Sequence, residues 1–143
     1  MRPVAPKRAE FKVFREISTR WMDMDVYGHV NNATYYSFFD TAVSGYLFET
    51  GAVDPHDGAV IGLAVESKCS YFAPVAFPDR VTGGVRVERL GTSSVTYGVG
   101  IFSNDNDQAA AAGYFIHVYV DAETRRPVPL PDNLRRVVEG LVI

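Results

Sequence analysis

Residues 31–51 read NNATYYSFFDTAVSGYLFETG. Tyr35, Phe38, Phe39, Ala42, Val43 and Tyr46 recur in this run at i, i+3, i+4, i+7, i+8 and i+11, which is one face of an α-helix. Asn31 or Asn32 suits the N-cap and Gly51 stands where a helix should stop. The stripe is wide and aromatic, so the helix is expected to be largely buried. Beyond it the run at 54–58, Asp-Pro-His-Asp-Gly, reads as a turn. The period then drops to two. Ile61, Leu63 and Val65 alternate on a strand that runs towards Tyr71, Val81, Val85 and Val87 on a second, and Val95, Tyr97, Val99 and Ile101 on a third. A fourth, AAAGYFIHVYVD at 110–121, is apolar on both faces, as a strand covered on both sides would be. Upstream, FKVFREISTR at 11–20 reads as a strand, with Phe11 and Val13 on one face and Phe14 on the other. The tail PDNLRRVVEGLVI predicts a short closing helix capped by Asp132.

One helix is about 10–12 Å wide and cannot cover five strands laid flat. The expected fold is therefore α+β, a five-stranded antiparallel sheet curled around one long central helix, with a second subunit covering the exposed sheet. The bounds on the chain agree. Its 143 residues and 15.8 kDa fit one domain, read as a flexible leader at 1–10 and a single domain at 11–143. Apolar residues at 47% and charged residues at 22% exclude a disordered chain. A net charge of −3 gives no basic field for nucleic acid or anionic lipid. The single cysteine, Cys69, excludes a disulfide framework. No signal-like apolar segment follows the charged, Pro-broken N-terminus and no run is long enough to span a membrane, so the expected location is the cytoplasm.

Reactive residues gather at one place: Asp23, Asp25, His29, Asn31 and Asn32, immediately before the helix. A helix N-terminus carries unsatisfied N–H groups and about half a positive charge, which suits a carbonyl oxygen gaining negative charge. A carboxylate one turn upstream can act there as nucleophile or as general base on water. The plainer readings are that the Asp and Asn residues cap the helix and that His29 bonds the local backbone. Other chemistries find little support. There is no G-x-S-x-G elbow, and Ser44-Gly45 falls inside the helix. His29, His56 and His117 have no metal-ligand spacing, Cys69 lies in a strand, and no phosphate-binding glycine loop is present.

The run RWMDMDVYGHVNNATYY at 20–36 resembles the signature of the hotdog-fold acyl-CoA thioesterases of the 4-hydroxybenzoyl-CoA thioesterase-like group, and the related stretch of acyl-carrier-protein thioesterases. The resemblance continues through a Tyr-x-x-Pro at 71–74, a Pro-Asp-x-Val at 78–81 and a Leu-Gly-x-Ser-Ser at 90–94, and covers residues 12–120. It implies a hotdog fold and hydrolysis of an acyl-CoA or acyl-carrier thioester. It also implies that Asp25 is the catalytic carboxylate, that the amide polarising the thioester carbonyl falls at Asn32, and that His29 supports them. For substrate it implies Ser93 and Ser94 near the carrier arm, Gly62 in the acyl region, and Tyr35 on the aromatic helix as a further contact. The family's 4-hydroxybenzoyl-CoA enzyme has a basic cluster where this chain has Gly91, Thr92 and Ser93, which argues against that strict specificity. No metal or organic cofactor is implied, coenzyme A being part of the substrate. A homodimer or homotetramer with sites across the interface is implied. Two rival readings use the same fold: a hydratase or dehydratase with an Asp-His pair, and a non-catalytic acyl-CoA-binding module.

Overall fold

The computed structural model describes residues 3–54, 56 and 58–143. The turn expected at 54–58 includes residues 55 and 57, which lie outside the described residues. Five strands, β1 (Val13–Ile17), β2 (Val60–Tyr71), β3 (Val81–Leu90), β4 (Ser94–Ser103) and β5 (Ala111–Asp121), form one sheet in the order β1-β3-β4-β5-β2. All its pairings are antiparallel. The long helix α1 (Thr34–Glu49) packs against the sheet, and a short helix α2 (Asp132–Glu139) closes the chain. This is the expected hotdog arrangement of one helix wrapped by a five-stranded sheet. Among the described residues no helix is long and apolar enough to cross a membrane.

The helix face works as its spacing implied. Tyr35, Phe38, Phe39, Ala42, Val43 and Leu47 are buried and share one core with Val81, Val85, Val87, Val95, Tyr97 and Val99 of the sheet. Tyr46, counted on the stripe, packs half-buried at its margin. The close approach of α1 to β3 needs a residue without a side chain. A Cβ at Gly83 would stand 2.8 Å from that of Ala42, inside van der Waals contact.

Several expectations need correction. The cap of α1 is Ala33, without a side-chain hydrogen bond. Asn31 instead closes a turn one step early, its Oδ1 accepting the Ala33 N–H at 2.9 Å. Asp132 is the first residue of α2 rather than its cap, which is Pro131. Val65 leaves the half-buried stripe of Ile61 and Leu63, because the register shifts between Ala64 and Glu66 and turns Val65 outward at 61% exposure.

Within the segment read as a flexible leader, Pro6, Lys7 and Arg8 are bonded to the outer face of the sheet and the loop following β4. The Ala109 N–H donates to the Pro6 carbonyl, and Lys7 bridges to Gln108. The Arg8 guanidinium donates to the carbonyls of Asn104 and Asn106 and lies 4.7 Å over the Phe102 ring. Phe11 precedes β1 and joins Phe102 and Ala109 in a second, outer cluster instead of sharing a face with Val13. At this end the cover over the sheet is the chain's own N-terminus.

Candidate active site

The loop before α1 is built by main-chain bonds that close on each other. A short 3-10 turn at Trp21–Asp23 begins it. The Asp23 carboxylate, 4% exposed, accepts the Arg20 N–H at 2.8 Å and the Arg20 guanidinium at 2.9 and 3.2 Å. The Asp23 carbonyl accepts the Asn31 N–H at 2.9 Å, so one residue pins both ends of the loop. Between them the Asp25 N–H donates to the His29 carbonyl at 2.9 Å, and the Gly28 N–H to the Asp25 carbonyl at 3.1 Å. Gly28 turns this tip at φ +77°, the left-handed region where a side chain is costly. The Val30 N–H anchors the loop to the Val75 carbonyl at 2.7 Å.

These bonds leave the Asp25 carboxylate half-exposed and aimed into a cleft of about 350 Å³ with His29, Asn32, Tyr35 and Tyr71. Its hydrogen-bond donor is the Tyr27 N–H at 2.9 Å, and among the described residues no cation pairs with it. The Asn32 N–H, on the same cleft, has no acceptor among the described residues. The carbonyl of Asn32 is held, since the Tyr71 hydroxyl donates to it at 2.6 Å. Tyr71 in turn meets Tyr35 edge-on at 5.1 Å. Burial pushes the Tyr35 phenol up to about 12, helped by Cys69 and Asp25, and raises that of Tyr71. Both phenols are protonated donors at neutral pH. The side chain of His29 is exposed and makes no hydrogen bond among the described residues; its carbonyl does the local bonding.

The remaining site candidates lie elsewhere on the chain. Gly62 pairs with Tyr119 and Ser94 with Val118, whereas Tyr71 pairs with Ala111. Eight residues of β5 separate the two ends, roughly 25 Å at strand rise. Gly62, Ser93 and Ser94 thus share one end of the sheet and Asp25, His29, Asn32 and Tyr35 the other. At the β3–β4 turn the Ser93 carbonyl accepts the Tyr119 N–H at 2.8 Å, and the Arg135 guanidinium holds the carbonyls of Gly91 and Thr92 at 2.9 and 3.3 Å.

The cleft thus holds, among the described residues, a carboxylate that no cation pairs and an amide without an acceptor beside the end of an aromatic helix, and similarity to known proteins gives the chain a family. Residues 19–138 match the model of the thioesterase-like superfamily. The chain belongs to that superfamily. The PA5185 protein from Pseudomonas aeruginosa strain PAO1 is 52% identical, with 97% of each chain covered and a TM-score of 0.95. A thioesterase from Thermus thermophilus, solved in complex with coenzyme A and zinc, is 29% identical over 92% of this chain and 95% of its own, with a TM-score of 0.76. The long-chain acyl-CoA thioesterase FadM of Escherichia coli (strain K12) is 26% identical over 130 residues, 89% of this chain and 97% of that protein.

The sequence points to Asp25, His29, Asn32 and Tyr35 for this site but not to the opposite wall of the cleft, where Tyr71 reads only as a strand end and as the first position of the Tyr-x-x-Pro motif. That motif was the available signal: Tyr71, Phe72, Ala73 and Pro74 all line the cleft opposite the Asp25 loop.

Proposed function

We propose that this protein hydrolyses the thioester of an acyl-CoA, with Asp25 as the catalytic carboxylate and the Asn32 amide, in the turn just before α1, as the oxyanion donor. The observation that carries the reading is that Asp25 and Asn32 line the same cleft, the one a carboxylate without a cation and the other with an N–H without an acceptor among the described residues. The thioester carbonyl oxygen takes the Asn32 N–H, where the α1 dipole adds favourable charge. Asp25 removes a proton from water as the hydroxide oxygen bonds to the carbonyl carbon. The C–S bond of the tetrahedral intermediate then breaks, and the departing thiolate takes the proton from Asp25. Direct attack by Asp25 through an anhydride needs the same unpaired carboxylate. His29 borders the cleft as a supporting group, and Tyr35 lines it for substrate.

The hydratase reading is less well supported. The Asp25 carboxylate bonds the Tyr27 N–H rather than the His29 ring, so no Asp-His pair is assembled.

The site is proposed to be completed by a second copy of the chain. β2 is an edge strand with exposed residues from Ala64 to Lys68. A free edge of this length is a template for antiparallel pairing. Two-fold pairing about the middle of β2 sets the Gly62 end of one chain beside the Tyr71 end of the other. It thereby brings Gly62, Ser93 and Ser94 of one copy towards Asp25 of its partner, with the serines near the carrier arm. The test is a panel of acyl-CoA esters with free thiol as the readout. Turnover that is lost in Asp25→Asn supports the assignment, and wild-type turnover in that variant overturns it.

A further inference from the structure

His117 is a buried imidazole for which the cleft has no use. It sits on β5, 8% exposed, among the rings of Tyr97, Phe115 and Tyr119 at 5.2, 5.7 and 6.3 Å between centroids. Neither ring nitrogen has a hydrogen-bond partner among the described residues, yet no side-chain nitrogen or oxygen there is sealed away unsatisfied. The polar edge of the ring must therefore open on a space. That space is a hollow of about 310 Å³ under the C-terminal half of α1, bounded by Ser44, Leu47, Phe48, Ile61, Gly62 and Tyr119. It is about twice the roughly 150 Å³ that suffices for benzene, enough for a chain end or ring of about six to eight heavy atoms.

The polar groups on this wall are unspent. Burial lowers the His117 pKa, against a weaker upward pull from Asp40, so the ring is neutral and offers one donor and one acceptor. Next to it the Tyr97 and Tyr119 hydroxyls stand 2.8 Å apart. Tyr119 lines the hollow while Tyr97 is fully buried behind it, so whichever hydroxyl donates in that bond, the Tyr119 hydroxyl keeps capacity for one more hydrogen bond on the hollow's side. A plain alkyl end seated here would strip water from these groups and return nothing. A hydroxyl would accept from one and donate to another, and unpaired buried polar groups discriminate steeply against the analogue that lacks it. Gly62, on the rim, lets the Tyr119 ring lie close over its strand, since a Cβ there would stand 2.8 Å from Tyr119 Cε1. The 16 residues of α1 span about 24 Å, so the hollow lies a helix length from its own Asp25 cleft and, in the pairing proposed above, on the side of the partner copy's cleft.

We propose that this hollow receives the far end of the acyl group and that His117 is a specificity-determining residue, selecting acyl groups that carry a hydroxyl at that end. The proposal rests on the thioesterase reading above and names a substrate class for it.

The test is a matched pair, hexanoyl-CoA and 6-hydroxyhexanoyl-CoA, assayed with wild type, His117→Phe and His117→Gln. The free acids are titrated in parallel into ring-labelled protein, with the His117 signals identified by their loss in the variants. Wild type should favour the hydroxylated ester by about tenfold or more in kcat/KM. That ratio should collapse towards one in His117→Phe and persist in part in His117→Gln. 6-Hydroxyhexanoate should move the His117 ring signals and hexanoate should leave them in place. A ratio unchanged by His117→Phe, or a wild-type preference for hexanoyl-CoA, overturns the proposal while leaving thioester hydrolysis intact. If neither ester is cleaved but the ring signals answer to the hydroxy acid alone, the hydrolysis reading fails and the assignment of the hollow stands. Should His117→Phe not fold, the wild-type titration decides: ring signals indifferent to both acids overturn the proposal.

Discussion

Asp23 and Asp25 stand two residues apart in one loop and are held in opposite ways: Asp23 is buried under a two-point bond from the Arg20 guanidinium, while Asp25 faces the cleft on a single backbone N–H. The chain fixes its loop with one carboxylate and leaves the other, among the described residues, without a cation, where it is proposed to react. Substituting each should therefore damage a different property. Asp25→Asn should keep the melting temperature and lose about 2–4 kcal/mol of transition-state stabilisation, at least about thirtyfold in kcat/KM. Asp23→Asn should lose stability, about 1–3 kcal/mol by thermal or urea unfolding, because it leaves Arg20 and the loop amides poorly satisfied. Equal losses of activity at matched stability would mean that the loop as a whole, not one carboxylate, carries turnover.

Tyr71 reaches the same loop from the other side of the cleft. Its hydroxyl fixes the Asn32 carbonyl and so the direction of the peptide preceding α1. Tyr71→Phe keeps the ring packed on Tyr35 and removes only that bond. It should cost about 1 kcal/mol in stability and lower kcat more than it raises KM. A rise in KM alone would place Tyr71 in substrate binding rather than in positioning the helix end.

The helix stripe and the Asp25 loop were legible because each is written in contiguous residues: a 3.6-residue period in one case, a motif over eight positions in the other. What escaped was non-local. The N-terminal segment is held by Arg8 stacking on Phe102, 94 positions along the chain, and no local pattern announces such a contact. The cap at Asn31 was misplaced because an Asn side chain satisfies an amide two residues on as readily as one inside the helix. The role of Tyr71 depended on a strand end meeting a loop 39 residues earlier. Gly62, Ser93 and Ser94 lie a strand length from Asp25 within one chain, a distance that only the strand register reveals and that a site shared between two copies would bridge.

Burial of His117 also has a consequence for stability. Its folded pKa lies below the unfolded value of about 6.5. Between those two values the unfolded chain binds more protons, so stability falls as the pH drops through that window and is fully present above it. The rings of Tyr97, Phe115 and Tyr119 surround it on the sheet, and the exposed Asp40 of α1 moderates the shift through its charge. Urea midpoints from pH 7.5 down to 5 should show a shallower loss in His117→Gln than in wild type. Parallel slopes would mean that other groups dominate the acid limb.

Ser94 opens β4 beside the β3–β4 turn, where the carrier arm is proposed to lie. Ser94→Glu would set a carboxylate near the phosphates of coenzyme A. KM for an acyl-CoA should rise severalfold, less so at high salt, while hydrolysis of the truncated acyl-pantetheine thioester should be nearly unaffected. Equal losses for both substrates would remove the carrier arm from this turn.

The shared site stands or falls on the free edge of β2. The strand runs from Val60 to Tyr71, so a two-fold axis through its middle passes beside Val65, which the bulge already turns outward. Each copy would then meet the same residue of the other across the axis, as an isologous contact requires. Val65→Arg places two like charges face to face there and should split the assembly. Sedimentation velocity should show wild type as a dimer or larger and the variant as a monomer with an unchanged circular dichroism spectrum. The Asp25 cleft is intact within each chain, so a monomer would keep full activity if that cleft were the whole site. Since Gly62, Ser93 and Ser94 lie roughly 25 Å away along the sheet, a monomer should instead lose most turnover of acyl-CoA. Full activity in a verified monomer would confine the site to one chain and detach those three residues from it.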